Sequence, residues 1–343
     1  RGSTTSGKGS EKMTKKMLGN KQIVVIGGGS WGGALADQLQ KAKNNVTVIT
    51  RKQKTADALN QGRLLALPHI RLQHPIMSTI KPDCLESADL IVVAVPQSAT
   101  AQIIKMIRKF GALDATILFT AKGLLPDPEK GGMFLPEWID TNFDNFHAYG
   151  LLSGPSFADE VILDKPTAVM IASNSLTLSA SIADYFAMSH LRCYVGDDMI
   201  GVAVGGAVKN IIAIAAGVAT GLNLGDNARA ALVSRGLAEI TRLAVKIGGN
   251  SKTLNGLAGM GDLVLSCSGP HSRNMAYGMA LAKNLKPEQK LVEGTKAAKL
   301  LSSRAYYENI ELPITQAIHR ILQQPDLIEN EISTLLARTV NTE

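Results

Sequence analysis

A glycine-rich turn near the start of the chain constrains the fold more than any other feature. The segment QIVVIGGGSWGGALADQL places Gly27, Gly29 and Gly32 in a Gly-x-Gly-x-x-Gly pattern between a strand-like run and a helix-like run. The first glycine permits a tight turn, the second lets a pyrophosphate approach the backbone, and the third lets the helix pack closely on the strand. The pattern predicts a dinucleotide-binding βαβ unit, and the alternative is a turn that binds nothing.

The end of the second predicted strand indicates which dinucleotide is used. An acidic residue at this position binds the ribose hydroxyls of NAD, whereas an Arg accommodates the 2′-phosphate of NADP. Here VTVIT is followed by Arg51, Lys52 and Lys54, with no carboxylate. We therefore predict NADPH or NADH as the cofactor, with NADPH accepted through Arg51. The alternative is a solvated basic turn.

The two halves of the chain differ in their secondary-structure pattern. Apolar strand-like runs alternate with helices up to about residue 196, which predicts a mostly parallel sheet covered on both faces. Beyond that residue the sequence favours helices almost throughout. We predict an α/β Rossmann-type domain over residues 17–196 and an all-α substrate domain over residues 197–343. Residues 1–16 are polar and aperiodic, and are interpreted as an expression tag or disordered tail.

Composition excludes several classes of protein. With 45% hydrophobic and 19% charged residues, the chain can form a large core and is not globally disordered. The net charge is +7, but residues 1–16 hold five basic side chains against one acidic, so the rest carries +3. Without a clustered basic face, nucleic-acid binding is not expected.

The cysteines and the most apolar stretch indicate the compartment. Cys84, Cys193 and Cys267 are odd in number and far apart, and no metal-ligand spacing is present, so we expect neither a disulfide framework nor a metal site. The apolar stretch 199–225 contains Lys209 and Asn210, which favours a buried helix over membrane insertion. No secretory signal is visible, and the predicted location is cytoplasmic.

Lys209 is the first candidate for chemistry. It is the only charged residue between Asp198 and Asp226, in the run VAVGGAVKNIIAIAAGVA. A lysine inside an apolar helix must be paired, or desolvated with a lowered pKa, and a lowered pKa suits a general acid or base near neutral pH. Asn210 beside it could hold a substrate oxygen. The alternatives are a lysine that reaches the surface and a structural ion pair.

Four further polar segments accompany this lysine. Asp262 lies in a glycine-rich turn and could pair with a lysine, while Lys122 follows a strand at the edge of the sheet where ligands bind. A hydroxyl, a guanidinium and an amide open a predicted helix at residues 272–274, which suits a phosphate. The alternative for that segment is an N-cap with a solvated Arg. The turn SGPSFA at residues 153–158 could equally be structural.

These motifs, in this order, resemble bacterial-type NAD(P)-dependent glycerol-3-phosphate dehydrogenases over about residues 22–336. The resemblance implies a 6-phosphogluconate-dehydrogenase-like fold with the site in the cleft between two domains. It also implies reversible reduction of dihydroxyacetone phosphate to sn-glycerol 3-phosphate by NADPH or NADH, for glycerophospholipid synthesis. The segments that carry it are GGGSWGGALA, AKGL, SGPSFA, GGAVKNIIAIAAG, NARAALVSRGLAEI, LAGMGDLVLSC, SRN and LVEG.

The resemblance also implies roles for individual residues. Lys209 matches the catalytic lysine, which donates the proton in reduction and accepts it in oxidation. The substrate-binding positions are Lys122, Gly154, Ser156, Lys209, Asp262, Ser272, Arg273 and Asn274. The cofactor-binding positions, besides the three glycines, are Ser30, Trp31, Arg51, Lys122, Ala158, Arg273, Leu291 and Glu293. Two departures are mild: GGGSWG stands for the commoner GAGSWG, and Leu291 stands where a valine is usual.

Two other functions are compatible with the same residues. One is a related two-domain hydroxyacid dehydrogenase, which the SRN and NARAAL segments disfavour. The other is a non-catalytic NADPH-binding module, which the presence of Lys209 and Asp262 disfavours. Asp262 and Asn210 are expected to orient Lys209 rather than react. Because apolar helices are plentiful, we expect a homodimer.

Overall fold

The protein is described by a computed structural model that covers residues 20–111, 114–144, 146–286 and 292–337. Within these ranges the strands are β1 (Gln22–Ile26), β2 (Asn45–Ile49), β3 (Met77–Thr79), β4 (Leu90–Val93), β5 (Thr116–Phe119), β6 (Leu124–Asp127), β7 (Gly131–Phe134), β8 (Tyr149–Ser153), β9 (Thr167–Ser173) and β10 (Leu191–Gly196). The helices of the first half are α1 (Ser30–Lys41), α2 (Gln53–Asn60), α3 (Thr100–Phe110), α4 (Leu135–Asn142), α5 (Ala158–Ile162) and α6 (Leu176–Asp184). Those of the second half are α7 (Met199–Gly221), α8 (Gly225–Lys246), α9 (Ser251–Leu254), α10 (Asp262–Cys267), α11 (Arg273–Ala282), α12 (Glu293–Tyr307), α13 (Pro313–Gln323) and α14 (Ile328–Ala337).

The large sheet has the strand order β10-β9-β8-β5-β4-β1-β2-β3. Strand β1 pairs in parallel with both β2 and β4, so the strand order reverses around β1. The two strands beyond β8 run the other way, because β9 is antiparallel to β8 and β10 is parallel to β9. Strands buried on both faces need apolar residues at successive positions, as in the run LIVV of β4. The predicted Rossmann-type sheet, mostly parallel, is confirmed.

The reversal of strand order creates a crevice at the carboxyl edge of the sheet. In open α/β sheets, ligands bind outside the carboxyl ends of the strands where the order reverses. Strands β1, β4, β5 and β8 all end at this edge. The glycine-rich turn and Lys122 follow two of these strands, so the fold places both at the crevice.

Helix α7 forms the centre of the helical half. Most of its 23 residues are buried, and it packs closely against α11. A Cβ added at Gly217 would lie 2.1 Å from the carbonyl oxygen of Met275, and one at Gly278 would lie 2.2 Å from that of Ile214. The two backbones therefore touch at these glycines. Although α7 is long and apolar enough to cross a membrane, 83% of its most apolar stretch is buried inside the protein.

A hairpin and a helix that the sequence does not predict connect the sheet to the helical half. The hairpin consists of β6 and β7, and its Phe134 lies in the hydrophobic core of the helices. Arg304 of α12 is 2% exposed and donates to both carboxylate oxygens of Glu137 in α4, at 2.7 Å each. Its guanidinium also lies over the Phe134 ring, 5.3 Å from the centroid. The division into domains at residue 196 stays a prediction, since this hairpin joins the helical core.

Candidate active site

The glycine-rich turn has the geometry of a pyrophosphate site. Gly27 has a φ of +124°, and a Cβ there would lie 2.3 Å from the carbonyl oxygen of Ala94. A Cβ at Gly32 would lie 1.9 Å from the carbonyl oxygen of Gly27. At Gly29 it would meet nothing within 4 Å, and no side chain caps the start of α1 there. The protein's own packing thus requires glycine at the first and third positions, while the second leaves open space before the first amides of α1. These residues fit a dinucleotide.

The other expected cofactor positions surround the same edge. Ser30 and Trp31 open α1 and are partly exposed, Arg51 follows β2 and is exposed, and Ala158 opens α5. Glu293 opens α12, and burial raises the pKa of its carboxyl although Arg273, Lys122 and Lys209 lower it. Leu291 lies outside the described residues. The assignment of Arg51 to the 2′-phosphate of NADP stays a prediction.

Two lysines and one aspartate form the centre of the site. Lys209 Nζ donates to Asp262 Oδ1, and Lys122 Nζ donates to Asp262 Oδ2 at 2.7 Å. Lys122 Nζ also donates to the carbonyl oxygen of Gly154 at 3.2 Å. Asp262 is 1% exposed and Lys209 is 7% exposed, whereas the Lys122 side chain is 17% exposed. Helices α7 and α10 and the strand ends of β5 and β8 therefore meet at one carboxylate.

The net effect of burial and of the neighbouring charges is to lower the pKa values of both Lys209 and Asp262. Burial, assisted by the positive charge of Lys122, lowers the pKa of Lys209 to about 8, although Asp262 raises it. Burial alone would raise the pKa of Asp262, but the two ammonium groups outweigh it and the net pKa is lowered. The carboxylate therefore stays ionised near neutral pH. Lys209 is consequently close to half-protonated under mildly alkaline conditions, as a group that gives and takes a proton needs to be.

A chain of amides links α7 to α11 and α12. Asn274 Nδ2 donates to Asn210 Oδ1 at 2.9 Å, and the backbone amide of Gly294 donates to Asn274 Oδ1 at 3.0 Å. Asn210 Nδ2 donates to the Gly206 carbonyl at 3.4 Å. This chain fixes which atoms of each side chain face one another. It also ties Asn274 to the residue beside Lys209.

The SGPSFA turn and the start of α11 lie together. The rings of Phe157 and His271 are 5.9 Å apart. Ser156 Oγ donates to the Gly154 carbonyl at 3.0 Å, and Ser272 Oγ accepts from the Met275 amide as the N-cap of α11. Arg273, the first residue of α11, is exposed. The N-cap proposed as an alternative for Ser272 is thus present, and the guanidinium beside it stays available to a ligand.

A small pocket lies between the sheet edge and α7. Lys122, Ser153 and Gly206 are among the residues that line it. A Cβ at Gly206 would lie 3.1 Å from Ser153 Oγ and 3.2 Å from Lys122 Cγ, so this glycine lets both approach α7. Sequence reasoning assigned no role to Ser153 or Gly206, although the glycine pair three residues before Lys209 is a signal of close approach. Within the described ranges, no three His, Cys, Asp or Glu side chains are grouped as metal ligands.

Together the fold and the site define a nicotinamide-dependent dehydrogenase with a Rossmann-type domain and a helical domain, in which Lys209 is buried against Asp262. Comparison with known proteins gives the family. The profile of the NAD-dependent glycerol-3-phosphate dehydrogenase N-terminus matches residues 22–179, and that of the C-terminus matches residues 198–332.

Relatives with assigned names match this sequence along nearly its whole length. A glycerol-3-phosphate dehydrogenase of Bacillus subtilis is 38% identical over 330 residues, covering 93% of this chain and 94% of the relative. The crystal structure of a glycerol-3-phosphate dehydrogenase from Coxiella burnetii superposes with a TM-score of 0.85 at 35% identity, covering 93% of this chain and 99% of that one. A ketopantoate reductase from Ralstonia eutropha, at a TM-score of 0.57 and 16% identity, shares the fold alone.

The chain belongs to the NAD-dependent glycerol-3-phosphate dehydrogenase family. The predicted fold class, enzyme class and nicotinamide cofactor are confirmed.

Proposed function

We propose that the protein reduces dihydroxyacetone phosphate reversibly to sn-glycerol 3-phosphate with NADPH or NADH, with Lys209 as its acid and base. The observation that carries this assignment is the buried cluster of Lys209, Asp262 and Lys122 at the carboxyl edge of the sheet. When bound, the reduced nicotinamide supplies a hydride to the C2 carbon of the substrate. As the ammonium, Lys209 gives a proton to the C2 oxygen in reduction; as the amine, it takes that proton back in oxidation.

The neighbours of Lys209 hold and orient it. Asp262 accepts a hydrogen bond from its ammonium group and keeps the amine near the substrate oxygen. Asn210, held by Asn274, presents its amide from the same turn of α7. Lys122 shares the carboxylate and offers its remaining N–H bonds to ligand oxygens.

Substrate phosphate is assigned to the start of α11. Arg273 is exposed there, and the first amides of the helix favour an anion. Gly154 and Ser156 form the facing turn. Binding the remote phosphate at this point would fix the C2 carbon relative to Lys209, which lowers the barrier by positioning.

Arg51 is assigned to the 2′-phosphate of NADPH. It is exposed at the carboxyl end of β2, where the adenosine ribose lies in this fold. Changing Arg51→Asp should weaken NADPH binding much more than NADH binding, because only NADPH carries the phosphate. Equal losses for both nucleotides would contradict the assignment.

We assign the enzyme to the cytoplasm, as a homodimer that supplies glycerol 3-phosphate for phospholipid synthesis. Its three free cysteines suit a reducing compartment. Helices α8 and α12 expose apolar side chains such as Val245 and Tyr306, which a second copy could cover. Light scattering on the purified protein tests the dimer directly.

The decisive experiment follows nicotinamide absorbance with dihydroxyacetone phosphate, first with NADPH and then with NADH. Wild type should oxidise the cofactor, and Lys209→Ala should not. Lys41→Ala is the matched control, because Lys41 also pairs with carboxylates, those of Asp37 and Asp164, but lies away from the site. A folded wild type that binds NADPH without turnover would favour another hydroxyacid substrate or a binding module.

A further inference from the structure

Gln97 is a buried glutamine whose side-chain amide has no partner. It begins a short 3-10 turn, Gln97–Ala99, and is 5% exposed. Within the described part of the chain, neither its Nε2 nor its Oε1 makes a hydrogen bond. The hydroxyl of Thr100, one turn later and fully buried, is also unpartnered. Buried polar groups are nearly always paired, and an unpaired amide is costly, so this one requires an explanation.

A second buried glutamine, in the same domain, has a structural role and makes hydrogen bonds through its side-chain amide. Gln38 in α1 is fully buried. Its Nε2 donates to the Val161 carbonyl at 3.0 Å and to Asp164 Oδ1 at 2.9 Å, and its Oε1 accepts from the His190 amide at 3.1 Å. The Gln38 amide therefore satisfies both of its polar atoms within the protein. The Gln97 amide satisfies neither.

The place of Gln97 in the fold indicates what it serves. It follows β4, at the crevice between β1 and β4. At the start of the same loop, the carbonyl oxygen of Ala94 lies close to Gly27 of the phosphate-binding turn. On the other side, a Cβ at Gly123 would lie 3.3 Å from the Cβ of Gln97, directly beside Lys122. Gln97 thus stands between the turn assigned to the pyrophosphate and the lysine assigned to the reaction.

We propose that Gln97 is a cofactor-binding residue, whose amide turns to the nicotinamide half of the bound dinucleotide. An amide offers donors and an acceptor together, and the ribose hydroxyls and carboxamide of that half offer the matching groups. The amide atoms are fully covered, so binding goes with a rotation of the side chain from its unpaired conformation to a paired one. The inference rests on the proposed function for the identity of the cofactor.

The test compares Gln97→Met with Gln38→Met, two substitutions that keep the shape of the side chain and remove its hydrogen bonds. Thermal unfolding without ligand should show Gln97→Met at or a few degrees above wild type, because an unpaired amide is removed. Gln38→Met should unfold several degrees lower. Titration with NADH should give roughly tenfold weaker binding for Gln97→Met. ADP, which occupies only the adenosine half, should bind all three proteins alike.

Several results would overturn the proposal. Unchanged NADH affinity in Gln97→Met would do so, and so would a loss of stability like that of Gln38→Met, since the amide would then have a structural partner such as a buried water. Equal weakening of NADH and ADP would show that the whole turn is distorted. A wild type that binds neither nucleotide would refute the proposed function as well, whereas a wild type that binds NADH no better than Gln97→Met refutes this inference alone.

Discussion

Replacing Asp262 by asparagine should move the pH dependence of the reaction to lower pH. The carboxylate of Asp262 is the acceptor for both Lys209 and Lys122; Asp262 and Lys209 are buried, and Lys122 is partly buried. The substitution keeps the shape of the side chain but removes its negative charge. Two ammonium groups then face each other in a buried site, and the protonated form of Lys209 loses its main stabilising partner.

The size of the change follows from the charges. A pair of unit charges about 4 Å apart at an effective dielectric constant of about 20 interacts by about 4 kcal/mol. Water entry and the remaining amide contact offset roughly half of this, which leaves about 2 kcal/mol, or about 1.5 pH units. The pKa of Lys209, lowered to about 8 in the wild type, should therefore fall to about 6.5 in the variant. At a pH of about 7.5 the protonated fraction drops roughly eightfold from this effect alone.

The assay is kcat/KM for dihydroxyacetone phosphate with NADPH, measured from about pH 5.5 to about pH 9.5. Reduction needs the ammonium form, so the rate declines above the pKa of Lys209 in each protein. Asp37→Asn is the control, because Asp37 is also buried and pairs with Lys41 at 2.8 Å, but lies on α1. It should leave the pH profile unchanged. An Asp262→Asn enzyme that still declines above about pH 8 would refute the reasoning.

Three further predictions test other parts of the structure. Because the pKa of Lys209 is about 8, wild-type reduction should decline above that pH while glycerol 3-phosphate oxidation rises, and parallel profiles would contradict this. Gly29→Ala should change the free energy of unfolding by about 1 kcal/mol or less, yet it should bind NADPH at least about tenfold more weakly. In urea unfolding, Gly32→Ala should lower the free energy of unfolding by about 2 kcal/mol or more, because there is no room for its Cβ. Arg304→Met should lower the free energy of unfolding by about 3 kcal/mol. Arg320→Met should lower it by less than about 1 kcal/mol, because the Arg320–Glu331 pair is half exposed. Equal losses of stability would contradict the role of burial.

The βαβ unit could be predicted from sequence because all of its determinants are local. A β-branched run, three spaced glycines and a helix-forming run follow one another between the start of β1 and the end of α1. The sequence also indicates that Asp262 pairs with a lysine, since a buried charge needs a partner. It does not indicate that a second lysine shares the same carboxylate. Lys122 and Asp262 are 140 positions apart, and only the fold brings them together.

Other elements could not be predicted, for physical reasons. The hairpin of β6 and β7 contains Pro126 and two glycines, which are poor strand formers. It forms because it packs on α12, where a Cβ at Gly131 would lie 2.6 Å from that of Ser303. The direction of β9 and β10 could not be predicted from the sequence for a different reason. Strand β9 (TAVMIAS) is apolar in its middle like the parallel strands, so its sequence does not show that it runs against β8.

The reversed direction of the last two strands determines how Lys209 reaches the site. Since β10 runs against the strands that carry the ligand edge, the chain leaves the sheet at the opposite edge and α7 begins there. Lys209 is ten positions after Met199, so α7 carries it about 15 Å, close to the roughly 16 Å height of a five-residue strand. The number of residues between Met199 and Lys209 therefore sets how far along the sheet the lysine lies. One residue inserted before Lys209 would turn the lysine by about 100° away from Asp262, whereas the same insertion in a surface loop would leave it in place.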